Sequence, residues 1–196
     1  MGILRTLYRE ARDLVGLKPP AENAAQLAER VCAEVKGELG GKKAKQGEDW
    51  TLETMHAERK VHVLFESAAM RTIVAVPSEL EGGPTWTITN DPKEGKEETP
   101  DGVERNYVAS GVYVQGTARE VKLQVDMWKA LPTGTRGNLG SFVQKHFGEL
   151  TYEDETFRYT PSQPTLEGTG PKYNVKSQIQ TMVRLVGEIE KAWKSL

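Results

Sequence analysis

The stretch in this sequence most suggestive of chemistry is Gly134-Thr135-Arg136-Gly137-Asn138-Leu139-Gly140-Ser141. Glycines ahead of a helix can aim backbone N–H groups at an anion, and a guanidinium adds a charge-assisted bond. Arg136, Gly137 and Ser141 are therefore the candidate anion-binding residues. The pattern stops short of a phosphate loop, because Ser141-Phe142 stands where a Lys-Ser/Thr pair is needed. It also follows a helical run and Pro132, whereas a dinucleotide fingerprint follows a strand. A helix–turn–helix connector capped by Asn138 or Ser141 explains the same residues without a ligand.

The remaining reactive residues do not form a catalytic set. His56 and His62 flank an expected hairpin turn, and Glu53 or Glu58 would have to join them to hold zinc or iron. His146 follows Ser141 by five residues, but no GxSxG elbow surrounds that serine. Cys32 lies in an apolar helical pattern beside Val31 and Val35, as a small core residue does. No metal and no cofactor is expected. Trp50, Trp86, Trp128 and Trp193 read as core or interface anchors. Trp50 and Trp86, together with Leu4, Leu7 and Tyr8 near the N-terminus, are the candidate partner-binding residues.

Composition narrows the classes. With 26 basic and 28 acidic residues the formal net charge is −2, so no global basic field draws the chain to nucleic acid. A single cysteine rules out an intramolecular disulfide. No apolar run approaches the ~20 residues that span a bilayer, and no signal-peptide pattern opens the chain, so a cytoplasmic location is expected.

The elements that would position these residues follow from periodicity. Val175, Ile179, Met182, Val186, Ile189, Trp193 and Leu196 recur at alternating intervals of four and three, a stripe on a long helix over 174–196. Ile179, Met182, Val186 and Ile189 should lie at its buried centre. Residues 22–39 form the first domain helix, ended by Gly40-Gly41. Residues 42–47 read as a polar, flexible connector. Period-two runs at 50–55, 61–66, 71–76 and 85–89 predict an antiparallel meander. Tyr107-Val108 and Val112–Val114 suggest a further strand or hairpin, and Leu150–Tyr159 another hairpin. Thr117 with Glu120 is a capping box that opens a helix to Leu131. A second helical run should bury Leu139, Phe142, Val143 and Phe147.

The expected fold is α+β: an antiparallel sheet of about five to seven strands packed against helices, with a long C-terminal helix. Residues 21–196 would be one domain carrying a mobile loop at 90–105, a stretch rich in charge, proline and glycine. Residues 1–20 would be an amphipathic helix, with Arg5, Arg9 and Arg12 beside the Leu4–Leu7–Leu14 face and Pro19-Pro20 as its stop. It would dock on its own domain, a partner groove or an anionic membrane surface.

The order of these elements over 22–196 resembles the acidic chaperones of type III secretion and the similar YbjN-like proteins. The resemblance rests on the 22–39 helix, the three strands from Trp50 to Val76, the Val121–Leu131 helix, the Leu150–Tyr159 hairpin and the last helix. It implies a homodimer that holds a partner polypeptide and catalyses nothing. The expected function is thus a non-enzymatic binding, adaptor or chaperone-like protein. The alternatives are a small enzyme or ligand-binding domain using the concave sheet face, and a peripheral membrane or assembly-associated factor acting through residues 1–18.

Overall fold

A computed structural model describes residues 23–80, 86–89, 104–109, 112–144, 148–162, 164–166 and 175–195. Chain order begins with α1 (Ala24–Leu39), β1 (Lys42–Gln46), β2 (Asp49–His56), β3 (Arg59–Glu66), β4 (Arg71–Pro77) and β5 (Trp86–Thr89). It continues with β6 (Glu104–Ala109), β7 (Val112–Gly116), α2 (Ala118–Ala130), α3 (Thr133–Gln144), β8 (Glu149–Glu153), β9 (Thr156–Thr160) and α4 (Val175–Trp193). The strands form a nine-stranded antiparallel sheet in the order β1-β2-β3-β4-β9-β8-β5-β7-β6. The class is therefore α+β as expected, with more strands than the sequence pattern indicated.

Alternation places one row of core residues across most of this sheet. Leu52 pairs with Val63, Val63 with Val74, Val74 with Tyr159, Tyr159 with Leu150, Leu150 with Ile88 and Ile88 with Val114. All of them are buried, each contributing about 1.5–3 kcal/mol by leaving water. The helices pack on this inner face: α1 against β1–β3, α4 against β2 and β4, and α2 and α3 against the β5–β7 side. The stripe on α4 behaves as its period requires, with Val175, Ile179, Met182, Val186 and Ile189 buried. Cys32 is buried in α1, and burial pushes its thiol pKa up.

Local chemistry sets the helix ends. The Asn23 side chain accepts from the Gln26 amide at 2.9 Å while Gln26 returns a bond to Asn23 at 3.1 Å. Thr117 and Glu120 make the expected capping box at the start of α2. Gly41, at φ +104, turns the chain into β1 where any Cβ would strike the Glu53 carbonyl. Ala57-Glu58 and Asp154-Glu155 all adopt positive φ, the geometry of the tight two-residue turns joining β2 to β3 and β8 to β9.

Two expectations need correction. The 42–47 connector is instead largely the edge strand β1. It lacks alternation because an edge strand exposed to water needs none, and its lysines guard it against pairing with other chains. The four-strand meander is also interrupted, since the β8–β9 hairpin sits between β4 and β5. The expected loop at 90–105 falls outside the described residues as far as 103, and its last two residues open β6. Residues 1–20 and Phe147 lie outside them as well.

Candidate functional site

The glycine-rich stretch is helix rather than turn. α3 begins at Thr133, so neither Asn138 nor Ser141 caps it. The Arg136 amide bonds the Pro132 carbonyl at 3.0 Å, and its guanidinium donates to the Thr133 hydroxyl at 3.1 Å. Burial of Leu139, Phe142 and Val143 outweighs the poor helix propensity of the glycines. With its amides drawn into the helix the stretch forms no anion-cradling loop. The structure does bring Arg136, Gly137 and Ser141 to one place. They share the wall of a groove of about 350 Å³ with Trp128, Val112 and Gln144.

The two proposed partner anchors whose strands are described, Trp50 and Trp86, lie on well-separated strands of the sheet. Trp50 is half-buried on β2, where the Lys43 ammonium stands 4.0 Å and that of Lys45 6.0 Å from its ring centroid. Both are cation–π contacts that hold β1 onto β2. Trp86 begins β5 opposite Tyr152, and its side chain lies outside the described residues, as do Leu4, Leu7 and Tyr8. His62 faces Glu53 across β2–β3, with Nδ1 3.6 Å from a carboxylate oxygen. Among the described residues no three His, Cys, Asp or Glu side chains converge as metal ligands.

Periodicity did not reveal two buried polar residues on α4. Glu190 is only 3% exposed. It accepts two bonds from the Arg59 guanidinium, at 3.0 and 2.5 Å, and bonds from the Ser78 hydroxyl and the Glu79 amide at 2.9 Å each. Burial alone would raise its pKa. The Arg59 bond, the Glu79 amide and the Ser78 hydroxyl more than offset this and hold it below the ordinary value. The network pins the C-terminal end of α4 to β3 and to the segment after β4. At the other end of α4, Gln178 is 4% exposed, and neither its amide nitrogen nor its oxygen has a hydrogen-bond partner. A single Glu or Gln beside an apolar stripe gives no sequence signal of such burial.

The outer face of the sheet differs in kind. No described helix packs on it. Leu64, Ile73, Ala75 and Pro77 lie half-buried on its central strands β3 and β4, and Leu64 pairs with Ile73. Charged and polar groups surround them: Glu53 and His62 to one side, Arg158 and Glu153 to the other, and the Glu66–Arg71 pair at 2.5 Å at one end. Further along the face Tyr107 packs edge-on against Tyr113, ring centroids 5.5 Å apart. Tyr107 at 59% and Met55 at 60% are the exposed large apolar side chains among the described residues. Thr89 alone of the described outward residues is buried. An apolar centre with a polar surround is the anatomy of a protein-binding surface.

No family model and no curated protein matches this chain in sequence. Among solved structures it is similar to the crystal structure of the mycobacterial trehalose monomycolate transport factor A, TtfA. The two share 11% sequence identity at a TM-score of 0.50, over 87% of this chain and 96% of that chain. At that identity the likeness is one of fold. Among the described residues no helix is long and apolar enough to cross a membrane.

Proposed function

We propose that this protein is a non-enzymatic adaptor that joins a larger assembly by binding a partner polypeptide on the outer face of its sheet. The observation that carries this reading is the patch on β3 and β4, where Leu64, Ile73, Ala75 and Pro77 stand inside a charged surround with no described helix over them. Folding places no demand on these residues comparable to that on the inner row, so their apolar character is best explained by a partner that covers them. Residues 1–18, read from the sequence as an amphipathic helix, would serve as a second point of attachment.

A photo-crosslinking amino acid placed at Ile73 or Arg158, in cells of the source organism, should capture one discrete polypeptide. The same group at Glu34, exposed on α1, should not. Capture from Glu34 alone, or from none of the three positions, would contradict the reading.

A further inference from the structure

Gln178 points to a second site, independent of the sheet face. It opens onto a cleft of about 230 Å³ between α3 and α4, whose wall includes Asn138, Ser141, Ser177, Thr181 and Arg184. Ser177, Thr181 and Arg184 follow one another at helical spacing along one stripe of α4. Ser177 and Gln178 lie in or next to its first turn, where the helix dipole favours negative charge.

The chemistry of the wall is one-sided. Every polar side chain named can donate a hydrogen bond, and none is a carboxylate. Hydroxyls, amides and one guanidinium spread along the stripe suit a tetrahedral oxyanion, which accepts from more directions than a carboxylate. Arg184 is exposed and makes no ion pair among the described residues. Gln178 adds a buried donor and a buried acceptor, both unpaired. A buried amide left without partners destabilises a fold, so it is retained where something else uses it. Its acceptor calls for a hydroxyl on the ligand. The cleft falls below the roughly 300 Å³ of drug-sized sites, so the ligand is small.

We propose that this cleft binds a small hydroxylated phosphate ester. Arg184 and the hydroxyls of Ser141, Ser177 and Thr181 take the phosphate oxygens. Gln178 changes rotamer to meet a hydroxyl of the carbon skeleton. Such a group could reach the cleft on a soluble metabolite or on a glycerophospholipid headgroup.

The test is calorimetric titration of the full chain with glycerol 3-phosphate, inorganic phosphate and glycerol at matched ionic strength, alongside flotation with phosphatidylglycerol vesicles. Glycerol 3-phosphate should bind saturably, inorganic phosphate more weakly and glycerol not at all. Arg184→Gln should weaken binding roughly tenfold, the loss of one charge-assisted bond. Gln178→Leu should raise the melting temperature of the free protein and erase the preference for glycerol 3-phosphate over phosphate. Vesicle binding that Arg184→Gln abolishes, without a response to soluble esters, would support the site and assign the phosphate to a lipid. Absence of saturable binding to any probe, or affinity unchanged in Arg184→Gln, would overturn the proposal. So would a lower melting temperature in Gln178→Leu, because Gln178 would then be held by contacts that stabilise the free protein.

Discussion

The two faces of one sheet carry opposite kinds of information. Inward, Leu52, Val63, Val74, Tyr159, Leu150, Ile88 and Val114 form a buried row at successive pairing positions. The residue adjacent to each of the first six puts Glu53, His62, Ala75, Arg158, Thr151 and Thr87 on the other side. A one-residue slip in pairing would exchange the two sets, so the inner row fixes the register of the whole sheet. The outer row has no such duty. Where it is apolar, at Leu64, Ile73, Ala75 and Pro77, the proposed partner polypeptide would account for it.

Substitutions that separate the faces should differ most in stability. Phe65, buried on the inner side of β3, should cost about 3–5 kcal/mol as Phe65→Ala, measured by denaturant unfolding. Next comes the lock at the end of α4. Arg59→Met leaves the Glu190 carboxylate buried without its cation and should cost about 3 kcal/mol.

The same network makes a pH prediction. Glu190 is held below its ordinary pKa by Arg59, the Glu79 amide and Ser78, against the opposing effect of burial. The stability it contributes is therefore full above the unfolded-state value, near 4, and is lost as pH falls through the lower folded-state value. In thermal melts at neutral pH Glu190→Gln should be less stable than the parent, and the gap should narrow below about pH 4. A gap that widens with acid would mean that the carboxylate is not held in its charged form.

At the smallest end, Ile73→Lys on the outer face should change stability by less than about 0.5 kcal/mol. A core-sized loss there would place Ile73 under cover within the chain itself.

Much of the inner face was legible in the sequence. The stripe on α4, the Thr117–Glu120 capping box and the alternation in β2, β3 and β4 all follow from short-range periodicity, which burial on one side enforces. The edge strand β1 was illegible because its lysines need not alternate, and only pairing with β2 makes it a strand. The placement of the β8–β9 hairpin beside β4 and β5 depends on contacts between residues far apart in sequence, which no local pattern encodes. The start of α3 was misplaced because glycine propensity argued for a turn, whereas burial of Leu139, Phe142 and Val143 decided for helix. The candidate sites were the least legible. Glu190 and Gln178 become significant only when packing of α4 removes them from water, and the patch at Leu64 and Ile73 only when no described helix is found above it.

The direct test of a binding face on the outer side of the sheet is quantitative co-purification from the source organism. The tagged parent would be compared with a Leu64→Glu/Ile73→Glu variant, with melting recorded for both. The polypeptide captured by the parent should fall at least about tenfold with the variant, as loss of a buried apolar anchor implies. The melting temperature should shift by no more than about 2–4 °C, what about 1 kcal/mol from two surface substitutions produces in a domain of this size. Undiminished capture by a variant that folds as well as the parent would contradict a role for this face in binding.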